Sequence, residues 1–275
     1  MINGINSREM ILEILLEIEE GEHSHVAIRN ALSKYQFLPK QDRAFITRVC
    51  EGTLEYRIQI DYIINFFSKV TVDKMKPAIR EILRSAVYQL KYMDSVPDSA
   101  VCNEAVKLAQ RKGFYNLKPF VNGVLRTIAR EMDQVRFPQK EDDLLKYLSV
   151  KYSMPEVLVT RWLEAYGEET TEKILADFLT EHPLTIRCRT YLNSKEEIVK
   201  SLESQGVHVA PAPYLPYAYS ISEFNHILAL DAFIKGKIVV QDVSSMLVAE
   251  VADPKKGDYV IDVCAAPGGK SLHMG

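Results

Sequence analysis

Apolar residues recur at helical spacing through the first half of the chain. The clearest run follows Pro77. There Ile79, Ile82, Leu83, Ala86, Val87 and Leu90 stand at i, i+3, i+4, i+7, i+8 and i+11, one stripe of an amphipathic helix. Arg80, Glu81, Arg84 and Lys91 fall off that stripe, and this predicts a solvated side for them. Ile11, Leu12, Leu15 and Ile18 form another stripe, opened by Asn6 and Glu9 at capping-box spacing and closed by Gly21. Further helices are predicted over residues 24–34, then after Pro39 with Phe45, Ile46, Val49 and Leu54 inward, and through Ile60, Ile63, Ile64 and Phe67. Two more carry Val101, Ala105, Leu108 and Ala109, and Phe120, Val121, Val124, Leu125 and Ile128. Seven short amphipathic helices joined by short loops predict an all-α bundle over residues 1–135.

The pattern then changes. Residues 136–182 read as a helical linker region: a polar run at 139–143, a helix through Leu144, Leu145 and Leu148, a helix over 155–166 with Trp162 in a core, a stop at Gly167, and a helix over 172–180. After Pro183 the period shortens to two. Residues 184–189, 207–209 and 217–221 read as strands, with a capped helix over 194–206 and a short one over 226–233. With a further strand at 238–240, strand–helix–strand–strand–helix–strand is the split βαβ order. Residues 183–235 are assigned to this α+β module. Arg187 and Arg189 alternate onto the face opposite Ile186 and Cys188, where they either meet phosphate or are simply solvated. Tyr214, Tyr217 and Tyr219 either stack on bases or serve the fold.

The last segment, 236–275, reads as the beginning of an α/β domain. A helix is predicted over 244–251, a turn over 253–257, and a buried strand over Tyr259 to Val263 with Asp262 near its end. Three small residues, a proline and two glycines follow, with a helix starting at Gly269 or Lys270. Strand, glycine turn and helix is a geometry in which backbone N–H groups face a nucleotide-like ligand. Large side chains at Ala265, Ala266, Gly268 or Gly269 would fill that space. The dinucleotide fingerprint is absent, because Gly268 and Gly269 are adjacent. Gly269-Lys270-Ser271 matches only the end of a P-loop, since Cys264 stands where the first glycine is required. A tight turn without a ligand is the plain alternative.

Composition narrows the class. The chain has 275 residues, 47% hydrophobic and 26% charged, as in ordinary globular proteins. No apolar run approaches the length that spans a bilayer. The N-terminus leads straight into an acidic amphipathic helix, not a signal peptide. Cys50, Cys102, Cys188 and Cys264 are widely spaced, without a C-x-x-C pair. Buried reduced thiols in a cytoplasmic protein, with no metal site, are expected. The net charge of −3 is unevenly spread. Residues 1–68 hold 7 basic and 10 acidic side chains, whereas residues 69–130 hold 12 basic and 5 acidic. The second segment is either a phosphate-binding surface or a solvated helix face, and Arg80, Arg84, Arg126 and Arg130 are either phosphate contacts or surface arginines pairing with the bundle's own acids.

Several stretches resemble known families. Asp262-Val-Cys-Ala-Ala-Pro-Gly-Gly-Lys270 is similar to motif I of the RNA cytosine-5 methyltransferases that use S-adenosyl-L-methionine. Gly236-Lys-Ile-Val-Val-Gln241-Asp242-Val-Ser244-Ser245 is similar to the lead-in of the same family. Asp42-Arg-Ala-Phe with Gly52-Thr-Leu, Leu83-Arg-Ser-Ala-Val-Tyr-Gln-Leu90, Pro97 with Asn103-Glu-Ala-Val106, and Phe120-Val-Asn-Gly-Val-Leu-Arg126 resemble the NusB family of antitermination factors. In this order the stretches resemble bacterial 16S rRNA cytosine-C5 methyltransferases of the Sun/RsmB type. The resemblance implies an all-α NusB-like bundle, an RRM-like module, and the start of a Rossmann-like methyltransferase domain. It implies that Cys264, Ala265, Ala266, Pro267, Gly268, Gly269 and Lys270 contact the cofactor, mainly through backbone groups. It implies 16S rRNA as partner, held by the bundle and the RRM-like module, and a monomer working in the cytoplasm without metal or membrane.

The family's chemistry adds a thiolate to C6 of cytosine, so that C5 becomes nucleophilic enough to take the methyl group. Its nucleophile lies in a Thr-Cys dipeptide and its release-assisting cysteine in a Pro-Cys dipeptide. Neither occurs here, since the four cysteines follow Val49, Val101, Arg187 and Val263. No catalytic residue is assigned, and the nucleophile is expected beyond Gly275. So are the rest of the sheet and the acid that would hold the ribose hydroxyls. The 275 residues by themselves are expected to be inactive and to bind the cofactor weakly or not at all, with their last forty residues poorly ordered or sticky. The competing reading is a NusB-like RNA-binding or antitermination protein without catalysis.

Overall fold

The computed structural model describes residues 6–35, 38–180, 182–224 and 226–275. The chain divides into two units, Met1–Thr180 and Glu181–Gly275.

The first unit begins with seven helices: α1 (Ser7–Glu19), α2 (Ser24–Lys34), α3 (Lys40–Glu55), α4 (Arg57–Phe67), α5 (Pro77–Tyr92), α6 (Asp98–Arg111) and α7 (Lys118–Glu131). Their number and order are those predicted. The Asn6 side chain caps α1 by accepting from the Arg8 N–H at 2.9 Å, while the Glu9 carboxylate turns to Lys112 at 3.2 Å. Helix α5 is the hub and packs against α1, α3, α4, α6 and α7. Its predicted stripe is buried: Ile79, Ile82, Leu83, Ala86 and Val87. Burying one such side chain contributes on the order of 2 kcal/mol.

Enclosure on every side has a second consequence. Glu81 and Arg84, expected in solvent, are only 3% and 4% exposed. Arg84 donates to both carboxylate oxygens of Asp61, from Nε at 2.7 Å and Nη2 at 2.6 Å, and from Nη1 to Glu81 at 2.6 Å. Burial pushes the Glu81 carboxyl up, and the charge of Arg84 only partly offsets this. Arg80 is also taken inward. It pairs with Glu19 and donates to the Val72 carbonyl at 3.2 Å. The period of a helix locates its most apolar face, but it does not count how many neighbours the helix has.

Gly52 on α3 has a packing role. A Cβ there would run into the ring of Tyr88, so the two helices meet where the glycine leaves room for the aromatic ring. The 136–180 segment continues the same unit as α8 (Leu144–Lys151) and the helical stretch α9 (Glu156–Phe178), broken at Gly167 with φ 74° and ψ 175°. That break sits at the predicted glycine, and helix resumes directly after it. The segment is tied to α4: Tyr62 donates to the Arg136 carbonyl at 2.7 Å, Gln59 to the Val150 carbonyl at 3.1 Å, and the Ile58 N–H to Ser153 at 3.0 Å. Leu148, Val159 and Leu175 form a small core, with Trp162 packed against it and stacked on Phe178. Glu172 gathers Lys140 and Lys151, each at 3.0 Å.

The second unit is built on a four-stranded antiparallel sheet in the order β2 (His208–Pro211), β3 (Ala218–Ser222), β1 (Leu184–Cys188), β4 (Ile238–Val240). Ile186 faces Tyr219 and Val240, and Arg187 faces Ala218 and Val239. Helices α10 (Lys195–Glu203) and α11 (Asp231–Ile234) supply Ile198, Leu202 and Ala232 to a core with Ile186, Cys188, Ile221 and Ile238. Strand β4, which the sequence bounds place in the 236–275 segment, is instead one edge of this sheet, because its backbone pairs with β1. Met246 of α12 (Val243–Ala252) packs with Leu215 and Ala218 in a second, smaller cluster.

The strand predicted at Tyr259 to Val263 does not form. These residues have no ladder partners, Val263 lies in a turn, and Tyr259 is 90% exposed. A strand exists only through pairing, and no described neighbour offers an edge here. A short helix, α13 (Ser271–Met274), closes the chain.

Arg84→Met should lower unfolding stability by about 3 kcal/mol in urea titration, because it leaves Glu81 buried and unpaired. Hydrogen bonds from Lys151 and Lys140 hold the Glu172 carboxyl at about 2, against roughly 4.3 in an unfolded chain. The stability it contributes is therefore present above about pH 4.5 and lost as pH falls through 4 toward 2. Glu172→Gln should cost about 1 kcal/mol at pH 7 and flatten the acid limb of stability over that window, read by thermal unfolding.

Candidate functional site

The turn predicted to carry chemistry is built around Asp262. Its Oδ1 accepts from the Cys264 N–H at 3.0 Å, and its Oδ2 accepts from the Ser271 hydroxyl at 2.6 Å. One carboxylate thereby clamps both ends of the loop. The Ser271 hydrogen bond and the Cys264 N–H hold it below the usual carboxylate range. Between the clamps, Gly268 adopts φ 108°, a conformation side chains disfavour, and its carbonyl accepts from the Leu272 N–H at 2.8 Å. Cys264, Ala265, Ala266, Pro267 and Lys270 are exposed, and Gly268 and Gly269 are half-buried. Nothing lies within 4 Å of the place a Cβ on Gly269 would take. An open hollow of about 480 Å³ adjoins the turn, lined by Lys255, Asp258, Tyr259, Asp262 and Ser271 among others. The seven predicted positions form one continuous loop, five of them exposed and two half-buried; the hollow is lined by residues on either side of the loop and by none of the seven.

Of the predicted phosphate contacts, the structure withdraws Arg80 and Arg84 into ion pairs. Arg126 and Arg130 stay on the surface of α7, where Arg126 donates to Asn122 at 2.9 Å and Arg130 pairs with Glu131 at 2.6 Å. Other cations flank aromatic rings. Lys76 lies over Phe114, and Tyr115 beside it is exposed.

In the sheet module, Tyr219 shares the face of Ile186 and packs on the core, so it serves the fold. Tyr214 is 82% exposed in the loop before β3. Tyr217 donates its hydroxyl to Glu250 and meets the edge of the His273 ring, centroids 5.6 Å apart. Arg187 is not solvated. It is 5% exposed and donates from Nε to Gln241 at 2.8 Å. Asp262 as a clamp and Gln241 as the arginine's partner were not singled out from the sequence. Both lie inside stretches that were, but the contacts join residues nine and fifty-four positions apart.

Comparison with known proteins bears on this arrangement. The NusB family profile matches residues 5–130, and that of the Methyltr_RsmF/B-like, ferredoxin-like domain matches residues 154–227. The chain joins a NusB family domain to an RsmF/B-like ferredoxin-like domain. It is 34% identical, over 97% of its length, to "Probable ribosomal RNA small subunit methyltransferase B" of Bacillus subtilis (strain 168), of which it covers 59%. It is 31% identical, over 98% of its length, to the protein of the same name from Synechocystis sp. (strain ATCC 27184 / PCC 6803 / Kazusa), of which it covers 60%. The crystal structure of PH0851 superposes with a TM-score of 0.71 at 26% identity, over 98% of this chain and 61% of that one. The chain thus spans about 60% of the length of the relatives it matches.

The NusB family domain contains Cys50 and Cys102, and the ferredoxin-like domain contains Cys188; all three are buried, whereas Cys264 in the turn is exposed, contrary to the expectation of four buried thiols. Burial pushes the Cys50 thiol up, and that of Cys188 to about 11. Among the described residues no group of three or more His, Cys, Asp or Glu is placed to hold a metal ion, and no helix is long and apolar enough to cross a membrane. With Ellman's reagent at pH 8, one thiol of four should react rapidly in the native protein. Cys264→Ser should abolish that phase, and the other three should appear only on unfolding.

Proposed function

We propose that this chain is the RNA-positioning part, together with the cofactor turn, of an enzyme that transfers a methyl group from S-adenosyl-L-methionine to C5 of a cytosine in 16S rRNA. One observation carries the reading. The Asp262-clamped turn, with open space over Gly269, follows a NusB family domain and an RsmF/B-like ferredoxin-like domain, and whole-chain relatives bear the name ribosomal RNA small subunit methyltransferase B. The cofactor, when bound, supplies an electrophilic methyl group. This chain's contribution is to hold it: backbone groups from Cys264 to Lys270 line the loop, and Asp262 fixes the loop's two ends. The exposed Arg126 and Arg130, with cations such as Lys76, supply positive charge for the RNA backbone. The protein works in the cytoplasm as a monomer.

A second reading has its own support. None of the four cysteines stands in a Thr-Cys or Pro-Cys dipeptide, so RNA binding without catalysis is a complete function for these 275 residues. The readings separate in one pair of measurements. Equilibrium dialysis of the product of the whole gene with labelled S-adenosyl-L-methionine and with ATP should show preference for the former, and Asp262→Ala should weaken it by about tenfold, the loss of one or two hydrogen bonds to a charged group. Incubation of the product of the whole gene with labelled cofactor and 16S rRNA should place the label on cytosine C5. Label at another atom, or none, would overturn the methyltransferase reading and leave the RNA-binding one.

A further inference from the structure

Buried positive charge needs a counter-charge. Arg84 in the helical unit has two, Asp61 and Glu81. Arg187 on β1 has none. Its one hydrogen bond goes to the neutral Gln241 side chain, at 2.8 Å. Among the described residues no carboxylate pairs with Arg187 or with Arg189 two positions on, and Arg189 donates only to the Gly236 carbonyl, at 3.3 Å. Burial lowers the pKa of Arg187 and the charge of Arg189 lowers it further; only tyrosines act in the other direction.

Unused donors gather at the same place. Gln241 is 6% exposed, and since its oxygen serves Arg187, its Nε2 amide is turned to a position where it is buried without a partner. Arg189 Nε and His273 Nδ1 are likewise buried and unpartnered. The His273 ring stands edge-on to Tyr217, and burial, with the Arg187 charge, depresses its protonation. Tyr217 already gives its hydroxyl to Glu250. The cluster lies on the sheet face opposite the Ile186 core, where β1 and β3 present Thr185, Arg187, Ala218 and Ser220. A buried guanidinium without an acid, beside the unpartnered amide of Gln241 and the unpartnered Nε of Arg189, is destabilising unless an anion completes it.

We propose that Arg187, Gln241 and Arg189 form a binding site for one oxyanion, the phosphodiester of an RNA strand laid against this sheet face. Planar N–H groups from an arginine and an amide suit a phosphate oxygen pair. The assignment to RNA rests on the function proposed above; the anion site itself rests on the unpaired donors.

Arg187→Met distinguishes the site from a structural arginine. In phosphate-free chloride buffer the variant should unfold at the same or a higher temperature than the parent, because it removes an unpaired buried charge. Inorganic phosphate, at matched ionic strength, should raise the melting temperature of the parent and not of the variant. Fluorescence anisotropy with a 16S rRNA fragment should show on the order of tenfold weaker binding for Arg187→Met, and a slope of log K against log salt shallower by about one. Arg187→Lys should recover part of the affinity. A lower melting temperature for Arg187→Met, with RNA affinity and salt slope unchanged, would make the arginine structural and overturn the proposal. Protection by phosphate without any loss of RNA affinity, or a loss confined to S-adenosyl-L-methionine, would overturn the RNA assignment. A parent protein that binds no RNA would remove the function proposed above and the RNA assignment with it, whereas RNA affinity retained in the variant, with no protection of the parent by phosphate, removes the site alone.

Discussion

The helical unit depends on the enclosure of α5. Five helices pack around it, so a side of the helix that its own sequence marks as polar is closed off from water. A buried charge is tolerated only with full compensation. Asp61 on α4 and Glu81 one turn earlier on α5 supply it, and each terminal nitrogen of Arg84 is matched to a carboxylate oxygen. The apolar stripe determines which way α5 faces. The ion triad fixes its register against α4, because the fork of a guanidinium accepts a carboxylate in few geometries. The extra helices over 136–180 are then held on α4 through Gln59, Tyr62 and Ile58.

The second unit handles its charges differently, and the contrast bears on function. Arg187 is buried by a sheet face and not by a ring of helices, Arg189 is half-buried, and an amide and a carbonyl solvate them in place of carboxylates. Neutral partners satisfy hydrogen bonds without cancelling charge. A surface of that kind suits a chain that must meet an anion from outside. In the loop from Asp262 to Ser271 the charge is negative and spent locally, holding two ends of a turn together while the middle stays exposed. Small residues in that middle leave the backbone approachable, which is what a ligand recognised by N–H groups requires.

Much of this was legible in the sequence. Helical periodicity located seven helices and their inward residues, and the shorter period located three strands of the sheet module, because both patterns follow directly from where side chains point; the fourth, at 238–240, shows no alternation and reads with the segment that follows. The glycine turn was legible because few residue types fit it. The strand at Tyr259 to Val263 was not, although its residues favour β structure. β-propensity describes a side chain on a paired surface, and without an adjacent edge the same residues stay unpaired and exposed.

The sequence by itself determined the order of the modules, the direction each amphipathic element faces, and the chemistry available in the 262–271 loop. Those properties depend on residues within a few positions of one another. Tertiary structure alone decided which charges are available to a ligand. Arg84 and Arg187 each stand at a polar position beside an apolar one, and the local sequence offers only Arg84 an acid one turn away, Glu81. Asp61, twenty-three positions away, neutralises the first, while Gln241, fifty-four positions away, leaves the second charged. The partner of a buried charge is chosen by packing between distant segments, and no pattern of neighbouring residues encodes it.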